Sequence, residues 1–294
     1  MSKQSIALIG FGEVGQILAA DLAAPERRIS AWDTAFVEPA SGPSKAVRHK
    51  VRSENAREAV SNAALVFSVV TAGEAQSAAR SVAAAMKPGA IYVDFNSVSP
   101  KTKQETRSIV ETAGGRFVEA AIMAPVPPRR LATPILLGGP YAEEFAEIAE
   151  ALGVTDARAF STEIGKASAA KMSRSIIVKG IEALVTESLL LARRYGVEAA
   201  TIESLNNILP DPEWEARARY MISRSLLHGA RRGEEMREAA KALKEAGIAP
   251  LMSAACATRQ ERAAQFEAGA QEADLASMLD ALLDAQSDEE NSLC

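Results

Sequence analysis

Apolar positions follow two rhythms along this chain, and the change between them divides it. Over the first 160 residues, short unbroken apolar runs at 5–9, 29–32, 65–70, 91–94, 116–121 and 134–137 alternate with stretches of helical spacing. Runs of that length, bounded by turn residues, read as strands covered on both faces. Helical spacing predicts helices over 16–23, with Ile17, Leu18 and Leu22 inward, and over 74–85 and 101–113. Pro88–Gly89 and Gly114–Gly115 supply the clearest breaks. Strand and helix in alternation imply a doubly wound, mostly parallel sheet with helices on both faces. Beyond Phe160 no strand is expected and every segment has helical spacing, which predicts a sheet domain over 1–163 and an all-helical domain over 164–294.

The second domain opens on one long helix, 167–195, about 40 Å at 1.5 Å per residue. Met172, Ile176, Ile177, Val178, Ile181, Leu184, Val185 and Leu189 to Leu191 surround its axis, so the helix is expected to be buried. One stripe is small or polar: Ser168, Lys171, Ser175, Lys179 and Glu182 recur three or four residues apart. A polar stripe on a buried helix predicts the wall of a cleft. An amine there loses water, which lowers its pKa and lets it exchange a proton near neutrality. The last helix, with Leu275, Met278, Leu279, Leu282 and Leu283 on one face, is expected to close the helical domain, and the polar tail 287–294 to fray.

Chemistry enters where the first strand ends. Residues 10–15 read GFGEVG, followed by a helix, a second strand and Asp33, 18 residues after Gly15. In such a unit Gly10 makes the turn, Gly12 admits a pyrophosphate close to the backbone, and Gly15 lets helix and strand pack. These features predict a Rossmann dinucleotide site formed by Gly10, Phe11, Gly12, Glu13, Val14, Gly15 and Asp33, with Thr71 at a later strand end. A carboxylate at Asp33 accepts from ribose hydroxyls and repels a 2'-phosphate, which favours NAD; Arg48, His49 and Lys50 keep NADP open.

Composition narrows the partners. The chain has 294 residues, 48% hydrophobic and 24% charged, with a net charge of -5. That balance argues against nucleic acid or an anionic membrane surface as a bulk electrostatic partner. Two cysteines, Cys256 and Cys294, make neither a disulfide framework nor a metal cage, and no metal site is expected. A reducing, cytoplasmic setting is the simplest expectation; no signal peptide or membrane span is read.

Two further segments carry a family resemblance. GKASAAKMSRS, residues 165–175, resembles the catalytic-helix signature of the beta-hydroxyacid dehydrogenases, the superfamily of 3-hydroxyisobutyrate and 6-phosphogluconate dehydrogenases. DFNSVSP, residues 94–100, is similar to that family's segment after its fifth strand. The resemblance implies a Rossmann domain, a helical second domain and usually a homodimer whose helical domains close each other's clefts. It makes Lys171 the general acid and base, Ser97 a neighbour of nicotinamide and substrate, and Ser175 the counterpart of an asparagine one turn beyond the lysine.

Departures from the family pattern are equally informative. Met123, Ala124 and Pro125 stand where relatives carry a serine and two glycines that grip a substrate carboxylate. Together with HGARRGEEM, residues 228–236, they resemble the phosphogluconate-dehydrogenase-like branch with a C-terminal domain of the DUF1932 type. His228, Arg231, Arg232 and Glu235 share a helical neighbourhood, which leaves two readings open: an arginine holding an anionic substrate group beside Met123, or a solvated face with internal ion pairs. Trp214 and Tyr220 are expected in core or dimer packing. The function implied is an NAD(P)-dependent dehydrogenase or reductase acting on a CH–OH group of a small hydroxy acid or related alcohol. Imine reduction on the same fold and a non-catalytic dinucleotide sensor are the alternatives.

Overall fold

Alternate residues of the first strand face opposite ways, Ile6 and Leu8 into one apolar layer and Ala7 and Ile9 into another. Both layers need cover, and helices supply it on both sides of the sheet. The structure, a computed structural model, describes residues 4–48, 50–207 and 209–292, so His49 and Cys294 lie outside the described residues. Packing divides the chain into two units, residues 1–172 and 173–294.

The first unit holds a seven-stranded sheet in the order β2-β1-β3-β4-β5-β6-β7. The strands are β1 (Gln4–Ile9), β2 (Arg27–Trp32), β3 (Leu65–Ser68), β4 (Ile91–Asp94), β5 (Arg116–Ile122), β6 (Ile135–Gly138) and β7 (Ala157–Ser161). All neighbours are parallel except β5 and β6. On one face lie α1 (Glu13–Asp21) and, farther along, Phe145 and Ala149 of the helix Ala142–Ala151. Short helices α2 (Gly42–Ala46) and α3 (Ala56–Val60) follow β2, and α4 (Ala75–Val82) and α5 (Pro100–Thr112) follow β3 and β4. Ala59, Val60, Ala79, Val82 and Val110 fill the opposite face. The short α6 (Val126–Arg129) precedes β6, and the Ala142–Ala151 helix is α7.

The expected Rossmann architecture is present, with differences at its margins. α1 begins at Glu13, three residues before the apolar spacing starts, because Gly12 already takes the N-cap place. β3 stops at Ser68, since Val69 and Val70 turn with the loop that meets Gly10. β7 was not legible: ARAFS is mostly exposed at the sheet edge and lacks an apolar run.

In the second unit the long helix α8 (Lys166–Arg194, its first turns belonging to the first unit) is followed by α9 (Glu198–Leu205), α10 (Trp214–Glu245), α11 (Leu251–Ala263) and α12 (Leu275–Ser292). Leu189 and Leu190 of α8, Ile222 and Leu226 of α10 and Met278, Leu279 and Leu282 of α12 share one core. Gly229 and Gly233 let α10 lie against α11, because a Cβ at Gly229 would stand 2.2 Å from the Gln260 carbonyl oxygen. Trp214 is buried and its indole donates to the Leu209 carbonyl at 2.7 Å, whereas Tyr220 is exposed. The backbone of α12 stays helical to Ser292, in contrast to the frayed tail expected from its polar composition.

The helix α8 also corrects the sequence reading. Ile177, Ile181, Leu184, Leu191 and Tyr195 are exposed, while Ser168, Ser175, Lys179 and Glu182 are buried. The apolar seam points outward because the polar stripe finds partners inside: Lys179 and Glu182 face α10.

A charged pair lies inside the sheet domain. Lys103 of α5 stands 3.0 Å from Asp94 at the end of β4, both almost without solvent contact. Removing one partner leaves the other charge buried, which costs about 3–5 kcal/mol. Lys103→Met is therefore expected to lower the urea midpoint of the sheet domain sharply. In a Trp214→Phe background, where Trp32 alone reports on this unit, an unchanged midpoint would show the pair to be dispensable.

Candidate dinucleotide and catalytic-lysine site

At the carboxyl ends of β1 and β3 the chain reverses direction across the sheet, and two loops meet there. Gly10 has φ +100, and a Cβ on it would stand 2.5 Å from the Val69 carbonyl oxygen. Gly15 sits inside α1, where a Cβ would come within 2.4 Å of the Gly10 oxygen. Gly12 differs: a Cβ there meets nothing within 4 Å. The first two glycines are thus required by the protein's own packing, while Gly12 borders open space on which the N-terminus of α1 faces. Such a cradle of backbone N–H groups fits a pyrophosphate.

Asp33 follows β2 and touches this loop. One carboxylate oxygen accepts the Phe11 N–H at 2.6 Å and the other the Ala35 N–H at 2.7 Å. The group is held in place, and each oxygen keeps a further lone pair for a ribose hydroxyl. Of the other loop residues, Phe11 is buried, Val14 half-buried, and Glu13 and Thr71 exposed. A cleft of about 690 Å³ runs from Phe11 past Ala20 of α1 and Ala23 beyond it to Arg28, Arg48 and Lys50. Those three cations are exposed.

The loop after β4 is braced from within. The Asn96 amide donates to Ser68 Oγ at 2.9 Å and accepts the Val70 N–H at 2.8 Å, so it ties the loops after β3 and β4 together. Ser97, next in line, is half-buried and makes no hydrogen bond to another described residue. Its hydroxyl is available for a ligand.

The two segments of the family signature meet in this unit. Gly165 has φ +101, and a Cβ on it would stand 3.1 Å from Pro100 Cβ. One turn on, Ser168 Oγ donates to the Val98 carbonyl. The start of α8 is thereby docked on the DFNSVSP loop, and Lys171 follows one turn after Ser168, half-buried. Glu119 completes the docking: its carboxylate, with no solvent exposure, accepts the Gly165 N–H at 2.9 Å and the Ala167 N–H at 2.8 Å. Burial pushes the Glu119 carboxyl above the ordinary carboxylate range, against the opposing pull of Lys103 and of those N–H donors.

Sequence reasoning missed Glu119, Asn96 and Lys103. The usable signal was an acid inside the apolar run FVEAA of β5, where an unpaired charge is costly.

Met123 is half-buried, its N–H donating to the Pro134 carbonyl at 2.8 Å, and it packs beside Ala121, Leu136 and Ala167. The remaining expected site residues lie in the helical unit. Ser175 is buried and accepts from Lys179 Nζ at 3.2 Å, and Lys179 also pairs with Glu235 at 2.8 Å. Desolvation lowers the Lys179 pKa, which Glu235 opposes. Arg232 is buried and ion-paired to Glu182; Arg231 is exposed, 3.6 Å from Glu235. His228 lies 2.8 Å from the Arg224 guanidinium. Cys256 is buried, its thiol 3.2 Å from the Lys179 carbonyl oxygen. Among the described residues, no helix is long and apolar enough to cross a membrane.

Comparison with known proteins agrees with this geometry. Residues 5–164 match the model of the NAD binding domain of 6-phosphogluconate dehydrogenase, and residues 192–263 match a domain of unknown function (DUF1932). A conserved hypothetical protein from Sinorhizobium meliloti 1021, known as a crystal structure, is 34% identical, covers 95% of this chain and 96% of its own, and superposes with a TM-score of 0.73. An uncharacterized 28.5 kDa protein of Methanothermus fervidus is 28% identical over 250 residues, 84% of this chain and 94% of that protein. The 3-hydroxyisobutyrate dehydrogenase of Mycobacterium tuberculosis, solved with L-serine, has the same fold at 18% identity, with a TM-score of 0.71 over 95% of this chain and 99% of its own.

The contrast among the loop glycines is testable. Gly15→Ala is expected to cost about 1–3 kcal/mol through overpacking, whereas Gly12→Ala should leave thermal unfolding within about 0.5 kcal/mol of the parent. NADH binding, followed by its fluorescence, should weaken at least about tenfold in Gly12→Ala. Unimpaired binding would place the pyrophosphate elsewhere.

Proposed function

Because this chain belongs to the beta-hydroxyacid dehydrogenase superfamily and carries a DUF1932 domain after its dinucleotide-binding domain, we propose that it transfers a hydride between a nicotinamide cofactor and the carbinol or carbonyl carbon of a small hydroxy acid or related alcohol. The observation that supports this reading is the docking of the first turn of α8 on the loop after β4, where Ser168, one turn before Lys171, bonds to Val98, the residue after Ser97. When bound, the nicotinamide exchanges hydride with the reacting carbon. In oxidation the neutral Lys171 amine takes the hydroxyl proton; in reduction its ammonium returns a proton to the oxygen. Ser97 holds that oxygen with its uncommitted hydroxyl, and Ser175, one turn beyond Lys171, is assigned to the same task.

The loop formed by Gly10 to Gly15, with Thr71, is the proposed cofactor cradle. Asp33 favours NAD, because a fixed carboxylate repels a 2'-phosphate. Arg48 and Lys50 are the groups that would receive that phosphate if NADP binds. Met123 replaces a polar group of relatives with an apolar one, so the substrate's acid group needs a different partner. Exposed Arg231 is assigned to it, with His228 and Arg232 around it on α10. The outward apolar seam of α8, with Ile177, Ile181, Leu184, Leu191 and Tyr195 at heptad-like spacing, supports a homodimer.

Lys171→Ala is expected to fold and bind NADH while turnover falls by about 10²–10⁴ on whichever member of a hydroxy-acid, sugar-acid and aromatic-alcohol panel the parent oxidises. Full retained turnover would remove Lys171 from the chemistry. Faster reaction with cyclic imines would favour imine reduction, and binding without turnover a sensor. Parallel titrations with NADH and NADPH decide the cofactor. Ile181→Glu with Leu184→Glu should shift the sedimentation coefficient from dimer to monomer, and a dimer that survives would exclude this seam as its interface.

A further inference from the structure

Asp94 and Glu119 are partners in register on the adjacent parallel strands β4 and β5, and both are fully buried. Two acids side by side in a sheet interior repel each other unless something holds each one. Lys103 holds Asp94, at 3.0 Å from its carboxylate and 2.8 Å from its carbonyl oxygen. Glu119 has a different partner, the first N–H groups of α8, and it accepts from Gly165 and Ala167 through its two separate oxygens. N–H donors on both oxygens favour the charged form, against the burial that disfavours it. Its room is reserved by β6: a Cβ at Gly138 would overlap Glu119 Oε1 at 2.3 Å. A buried negative charge at the start of a helix complements the free N–H groups and the positive end of its dipole.

Resting on the assignment of Lys171 as acid and base, we propose that Glu119 is a positioning residue for Lys171, acting through the first turn of α8 to fix where the amine stands and to hold its ammonium form. Lys171 lies four residues beyond Ala167, so the lysine is mounted on the turn directly above the one that Glu119 anchors. A buried negative charge one turn away favours the ammonium form of an amine. The charged groups facing Glu119 are Lys103 from α5 and Asp94 from β4. Lys166 and Glu163, at the helix start, are exposed and 3.8 Å apart.

The test needs no substrate. Lysines of the intact chain are dimethylated with ¹³C-formaldehyde, the Lys171 resonance is assigned through Lys171→Arg, and its titration is followed by NMR in the parent, Glu119→Gln and Glu119→Asp. Loss of the charge in Glu119→Gln should move the Lys171 titration down by about half a pH unit or more, and Glu119→Asp should restore most of it. An unmoved titration in folded Glu119→Gln overturns the proposal. If that variant does not fold, the parent decides: the Gly165 and Ala167 amide shifts report Glu119 ionisation, and the Lys171 methyl signal must show an inflection at the same pH. A Lys171 signal without that inflection overturns the proposal. Because these readouts involve no turnover, a protein that proves inactive on every alcohol overturns the enzymatic reading and leaves the coupling between Glu119 and Lys171 to be judged separately.

Discussion

A carboxylate without solvent, held between a strand and the first turn of a helix, is the constraint on which the candidate site depends. Glu119 fixes the N-terminus of α8 on the sheet, Gly138 leaves room for it, and Ser168 adds a second tie to the loop after β4. Besides these ties, a small apolar cluster of Ala121, Leu136, Met123, Ala167 and Ala170 and the Gly165–Pro100 contact hold the start of the lysine helix on the sheet. Hydrogen bonds to a charged group in a dry environment are strong and are costly to break, so they place a helix more firmly than apolar contact does.

The same logic explains the middle of α8. A 29-residue helix rich in leucine and isoleucine ordinarily turns those residues inward, as Leu189 and Leu190 do here, yet Ile177, Ile181 and Leu184 are exposed while Ser175, Lys179 and Glu182 are buried. Each has a partner: Lys179 meets Glu235, Glu182 meets Arg232, and Ser175 receives a hydrogen bond from Lys179. Buried ions of this kind add little net stability, but they admit only one register between two long helices. The HGARRGEEM segment serves that register twice over, since its arginine and glutamate pair with α8 while Gly229 and Gly233 allow close approach to α11.

Much of the fold was legible because its signals are local. Largely apolar runs mark strands that are covered on both faces, and all six expected runs coincide with strands to within two residues at each end. GFGEVG was legible for the same reason, Gly10 answering to a positive φ and Gly15 to a close approach that a short sequence can encode. β7 was not, because an exposed edge strand needs no apolar run. Glu119, Asn96 and Lys103 were not, because their partners lie 46, 26 and 9 residues away and spacing rules do not reach that far.

The sequence by itself determined the first six strands and the helices that follow β1, β3 and β4, the dinucleotide loop and the family signature, since each rests on periodicity or on contiguous residues. Only the tertiary structure decided which face of α8 is buried and what anchors its first turn. A helix has no preferred inward face until another element offers partners, and the cost of leaving Lys179, Glu182 and Glu119 unpaired outweighs the gain from burying a few more leucines.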